Sequence, residues 1–178
     1  MDEKQLLKDC LNGNVHAQKR LYEMYSRKMF GVCLRYAADP GMAEDFLQEG
    51  FIKVFSRLHS FKFQGSFEGW VRRIMINTSL EMLRKHDVLR YSQGIDSSMP
   101  LQDDATDDNE AMEIDSETLF SVFQEMPPGF RTVFNLYAIE DYSHKEIGAM
   151  LKISEGTSKS QYARARLWLQ KRLAEIKL

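Results

Sequence analysis

The sequence predicts an all-α protein of two small helical domains, an N-terminal helical bundle and a C-terminal helix-turn-helix, joined by an acidic flexible linker. Three observations carry this. Apolar residues recur at helical spacing on both sides of the linker, and no alternating runs closed by Asn-Gly or Asp-Gly hairpins occur. About residues 90–113 are too rich in Asp, Ser and Gln to bury a core that would offset the cost of ordering the backbone. The charges are also sorted along the chain. Residues 1–90 hold 15 Lys and Arg against 11 Asp and Glu, residues 91–127 hold ten acidic residues and no Lys or Arg, and residues 128–178 hold nine basic residues against five acidic ones. The formal net charge of −2 over 178 residues conceals this basic, acidic, basic order. The expected domains are residues 1–89, the linker 90–113 and residues 114–178.

In the first domain, Leu6, Leu7, Cys10 and Leu11 make a short amphipathic helix that Gly13 ends. A second runs from about Val15 to Tyr36, with Leu21, Met24, Tyr25, Phe30, Val32, Cys33 and Tyr36 as a broad apolar stripe. Asp39-Pro40-Gly41 breaks it, and a third helix follows to about Leu58, carrying Ala43, Phe46, Leu47, Phe51, Val54 and Phe55 inward. After a turn at Lys62–Ser66 comes a fourth, about Phe67 to His86, with Trp70, Val71, Ile74, Met75 and Leu83 inward. Four helices over this length can enclose one core.

The second domain opens with a helix from about Ser116 to Glu125, which must stop before Pro127-Pro128 because a residue preceding proline avoids helical geometry. A helix over about Gly129–Ile139 follows, with Phe130, Val133, Phe134 and Tyr137 inward. Ser143 then caps His144–Leu151 and Glu146 completes a capping box. Lys152-Ile153 turns the chain, and Ser154 caps a last helix of about 20 residues with Tyr162, Ala165, Leu169, Leu173 and Ile176 on its apolar face.

Two helices joined by so short a turn, the second basic, form the helix-turn-helix pattern. Ser158, Tyr162 and Ala165 face back at i, i+4 and i+7, which leaves Lys159, Ser160, Gln161, Ala163 and Arg164 on the solvent side, where small, polar and cationic groups can meet base edges. The same spacing also suits a solvated face on an ordinary helical hairpin, and spacing alone does not choose.

The composition excludes several classes. Hydrophobic residues at 43 % and charged residues at 28 % fit a soluble globular chain, with no run long enough to span a bilayer and no apolar signal core at the N-terminus. Two cysteines, Cys10 and Cys33, fit a reducing cytoplasm. No enzyme is expected: phosphate-cradling glycine loops, GxSxG and HExxH are missing. No metal or cofactor is expected either. The four histidines are scattered, and the carboxylates at 103–110 lack the glycine and terminal glutamate of a calcium loop.

The motifs now carry a resemblance. Met126-Pro127, Arg131-Thr132-Val133-Phe134, Tyr142-Ser143, Glu146-Ile147, Leu151, Ile153-Ser154, Gly156-Thr157, Lys159-Ser160 and Arg164-Ala165-Arg166 resemble the −35-reading domain of bacterial sigma factors of the extracytoplasmic-function (ECF) subfamily. Departures are Gly148 for the usual alanine, Ser158 for a buried valine and Gln161 for a frequent arginine. Ser158 would leave a hydroxyl in the core, which in a helix can bond back to the carbonyl four residues earlier. Ala43-Glu44-Asp45, Gln48-Glu49 and Phe51 resemble the helix by which that family docks on the polymerase clamp, so the resemblance raises the polar stripe of Asp45, Gln48 and Glu49 from a solvated face to a protein-binding surface. Phe61, Phe67, Trp70, Ile74, Asn77 and Arg84 match the promoter-melting and −10-reading segment.

What the resemblance implies is a non-catalytic factor that binds core RNA polymerase, places its two basic domains on promoter DNA, and helps to open it. Arg166 joins the −35 set. At the −10 element, Lys62, Gln64, Ser66, Phe67, Arg73 and Asn77 are expected to meet DNA. A loop with aromatic neighbours can hold a flipped base there while Arg72, Arg73, Arg84 and Lys85 hold the backbone, with Phe61 and Trp70 left to the core. The acidic linker would thread the path later taken by nascent RNA. An anti-sigma factor, commonly membrane-anchored in this family, is the further partner implied. The rival readings are a stand-alone helix-turn-helix regulator and a protein-binding helical adaptor.

Overall fold

The computed structural model describes residues 2–86 and 115–176, and the segment expected as the linker lies outside them. The chain divides into two compact units, Met1–His86 and Asp87–Leu178. Among the described residues the regular structure is all helical.

The N-terminal unit is built from α1 (Glu3–Leu11), α2 (Val15–Leu34), α3 (Pro40–Arg57) and α4 (Phe67–Lys85), with a 3₁₀ turn at Leu58–Ser60. Side-chain oxygens cap free amides at the starts of α2, α3 and α4. Asn14 accepts from His16 and Ala17, Asp39 from Met42 with Pro40 in the first turn, and Ser66 from Gly69. Leu21, Tyr25, Met29, Val32 and Cys33 on α2 meet Ala43, Phe46, Leu47, Phe51 and Val54 on α3, and Val71, Met75, Ile76, Leu80 and Leu83 on α4 close the core. Met24, expected inward, is half exposed and Met29 occupies the interior instead. The apolar stripe of α2 is wider than the face its neighbours can cover. Cys10 and Cys33 are both buried free thiols, and burial pushes Cys33 up to about 12, so it stays a thiol.

At Gly50 of α3 an added Cβ would overlap the sulfur of the fully buried Met75 of α4. Glycine is dictated here by space.

In the C-terminal unit, α5 (Ser116–Glu125), α6 (Pro128–Phe134), α7 (His144–Leu151) and α8 (Glu155–Ile176) surround Phe123, Met126, Phe130, Val133, Leu136, Ile147 and Ala165. The helix expected over Gly129–Ile139 is only partly α-helical: it widens into a π turn at Asn135–Ile139, closed by Glu140 N–H donating to the Asn135 carbonyl at 3.0 Å. That widening leaves Tyr137, expected inward, at the surface of the unit. Ile176, expected on the apolar face, is likewise exposed.

Arg131 is almost completely buried. Its Nη1 donates to the carbonyl and the side-chain Oε1 of Gln124, at 3.0 and 2.8 Å. The guanidinium thereby satisfies a last-turn carbonyl of α5, and burial holds its pKa below the ordinary value. No helix among the described residues is long and apolar enough to cross a membrane.

Candidate nucleic-acid interface

The second helix of the helix-turn-helix is held by its turn. Ser143 and Glu146 form the expected capping box on α7, and Lys152 ends that helix in the left-handed region at φ 57°. The Ile153 N–H donates back to the Gly148 carbonyl at 3.0 Å, and Ser154 Oγ accepts from Thr157 N–H at 2.9 Å to start α8. A Cβ on Gly148 would lie 2.8 Å from the Ile153 carbonyl oxygen, so the turn is seated against bare helix backbone.

Along α8, Lys159 and Arg166 are exposed, while Ser160, Ala163 and Arg164 lie half-buried at the rim. Lys159 pairs with Glu155 at 2.8 Å. Both ends of that pair are solvated, so a phosphate can displace it at little cost. Gln161 corrects the expected solvent-facing set. It is buried, and its Oε1 has no hydrogen-bond partner among the described residues. The reason is positional, since 158, 161 and 165 stand at i, i+3 and i+7 and share the inward face. Ser158 is buried as read, and its hydroxyl finds a partner outside its own helix: the Oγ lies 2.9 Å from Nδ1 of His144.

In the N-terminal unit, Lys62, Gln64 and Ser66 are exposed on the loop that enters α4, with the Ser66 hydroxyl engaged as the helix cap. Arg73, Asn77 and Arg84 are exposed on α4, and Arg72 is half-buried. Phe67, expected to meet DNA, is instead a core residue. It is 2 % exposed, with ring centroids 5.1 Å from Phe61, 5.5 Å from Tyr25 and 5.6 Å from Trp70. The ring that faces out is Phe63, which periodicity does not single out. It is 44 % exposed at φ 55°, a backbone region costly for a bulky side chain, and it leans on Phe61 at 5.1 Å. A phenylalanine two residues before a turn glycine, Gly65, was the available signal.

On α3, Asp45 and Gln48 are exposed and Glu49 is half-buried, so the stripe is continuous. It borders a groove of about 370 Å³ lined by Tyr22, Ser26, Arg27, Phe30, Leu47 and Gln48 among others. Sequence reasoning missed the α2 side of this surface because Tyr22 sits at the edge of the core stripe, packing on Phe51 at 4.7 Å.

Both units match known families. Residues 21–88 match Sigma-70 region 2, and residues 116–169 match Sigma-70, region 4. The ECF RNA polymerase sigma factor SigW of Bacillus subtilis is 28 % identical over 187 residues, covering 97 % of each chain. The RNA polymerase sigma-H factor of Pseudomonas aeruginosa is 29 % identical over 188 residues, covering 98 % of this chain and 95 % of its own. The solved structure of the sigma factor RpoE from Bartonella quintana, in complex with the anti-sigma factor NepR, shares the fold at a TM-score of 0.55 with 20 % identity, covering 88 % of this chain and 96 % of that one. Two region matches that together span most of the chain, in family order and with near full-length relatives on both sides, place this protein in the sigma-70 family, as a member of its ECF subfamily.

Proposed function

We propose that this ECF sigma factor binds core RNA polymerase through the α3 stripe, reads the −35 element with α8, and reads and opens the −10 element with the loop at 62–66 and the exposed face of α4. Residues 1–89 would supply the polymerase and −10 contacts, residues 114–178 the −35 contacts, and residues 90–113 the tether. The factor acts by binding, in the cytoplasm, and the chemistry belongs to the polymerase. The observation that carries this is one chain holding both a docking stripe beside a groove and a cation-bearing helix on a rigid turn. A stand-alone regulator needs only the second. NepR in the solved relative supports an anti-sigma factor as a partner of this chain also.

Run-off transcription with core polymerase on genomic fragments tests the proposal. Reversing Asp45 and Glu49 to lysine should lower core affinity about tenfold or more, since 1.4 kcal/mol suffices for each factor of ten, while the folded state is unchanged by circular dichroism. Unaltered core binding would leave the stripe a solvated face.

Arg164→Ala should cost about 1–3 kcal/mol of −35 binding and relax the preference at one base position. Lys159→Gln should weaken binding evenly across sequences and lower the salt slope by about 0.9. Binding titrations at several salt concentrations on matched and mismatched −35 duplexes separate the two. Equal discrimination by wild type and Arg164→Ala would remove Arg164 from base readout.

A further inference from the structure

The aromatic side chains of the C-terminal unit form a contact chain that ends on an imidazole. Phe123 of α5 meets Phe134 of α6 edge-on at 5.3 Å, and Phe134 stacks on Tyr162 of α8 at 5.7 Å. Tyr162 touches Tyr137 of the π turn at 4.5 Å, and Tyr137 lies nearly parallel to His144, 4.2 Å away at 9°. His144 then pairs with Ser158, whose hydroxyl is sealed in the core and needs a partner. One ring thus joins the first residue of α7 to the first turns of the DNA-reading helix.

We propose that His144 is a positioning residue for α8 and that it couples −35 DNA binding to uptake of a proton. The proposal rests on the reading that Lys159 meets phosphate.

The groups around the ring decide its charge. Glu155, Lys159 and Tyr162 face it from α8, Tyr137 from the π turn, Lys145 and Glu146 stand beside it on α7, and Asp141 and Tyr142 line the same cavity of about 720 Å³. Burial first, and then the Lys159 ammonium, hold its pKa below the ordinary value against the opposing Glu155. The free chain therefore carries a neutral ring near pH 7. A phosphate on Lys159 neutralises that cation and adds an anion, so the imidazole takes up a proton more readily in the complex than in the free chain. Ser158 Oγ can accept from a protonated Nδ1, which keeps α8 in place through a charge-assisted bond. Affinity for the −35 element should rise as pH falls, from the pKa of the bound ring down to the depressed one of the free chain.

The test uses the full chain in holoenzyme and a −35 duplex recovered by selection, titrated between pH 8 and 5.5. Wild type should gain about threefold to tenfold more affinity across that range than His144→Asn, a fully linked proton setting the ceiling of tenfold per pH unit. The asparagine keeps a polar atom for Ser158 and cannot titrate; His144→Gln serves if it misfolds. His16, His59 and His86 are exposed and present in every variant, so they cancel. His144→Phe should weaken binding at every pH by leaving Ser158 unpaired, and adding Ser158→Ala should restore part of it. Parallel pH profiles for wild type and both amide variants would overturn the proposal while leaving the phosphate reading intact. An unchanged salt slope in Lys159→Gln would overturn the phosphate reading itself, and this proposal with it.

Discussion

Phe67→Ala should lower the stability of the N-terminal unit by about 3–5 kcal/mol, the range for removing a buried phenylalanine. The ring is nearly inaccessible and is enclosed by Tyr25, Phe61 and Trp70, so truncation leaves a cavity at the start of α4. With total stabilities of about 5–15 kcal/mol, that loss is a large part of what holds a unit folded. Thermal unfolding followed by circular dichroism measures it. If Phe67 served instead to stack on a base, the melting curve would stay in place and only promoter opening would fail. Phe63→Ala is the informative contrast. Phe63 is half exposed and packs on one ring, so its loss should hardly move the melting temperature. It should slow opening at the −10 element by an amount corresponding to about 1–3 kcal/mol per stacked base, read by permanganate reactivity of unpaired thymines.

Gly50→Val should cost about 3 kcal/mol, at the upper end for overpacking a core. Even the β-carbon collides with Met75, which is fully buried and so has no solvent side to move to. The gain in helix propensity from replacing glycine is only a few tenths of a kcal/mol for a β-branched residue, too little to compensate. The distinctive outcome is rescue. Met75→Ala alone should destabilise by opening a cavity, whereas Gly50→Val with Met75→Ala should be less destabilised than the sum of the two changes. Denaturant midpoints of the four proteins give the coupling directly. Additive effects would mean that α3 and α4 separate freely at this point.

The helices were legible because local rules govern them. Ser143 with Glu146, and Ser154, each start a helix as read, since a cap depends on residues two or three positions away, and the break at Asp39-Pro40 and the turn ending at Ser66 supply caps of the same local kind. Spacing says which residues share a side, and neighbours decide how far around the helix that side extends. Met24 and Met29 exchanged places for this reason, and so did Gln161 with respect to its solvent-facing neighbours. Phe67 and Phe63 lie four positions apart in similar company, and only the packing of Tyr25 from α2 reveals which belongs inside. The Ser158 partner could not be read from α8 at all, because it comes from fourteen residues earlier across the turn. The π turn has no sequence signature, and it is what carries Tyr137 to the imidazole.

The bare backbone at Gly148 bears on how specificity can be exchanged between relatives. With the Ile153 carbonyl resting where a methyl group would be, no side chain sits between turn and helix to act as an adjustable shim. A recognition helix borrowed from a relative that carries alanine there would arrive shaped for a wider seat and would sit on this one at the wrong angle. The natural cassette for swapping promoter preference is therefore the block from Ser143 to Arg166, capping box, glycine and turn included, and a chimera cut within it should bind DNA less well than either parent.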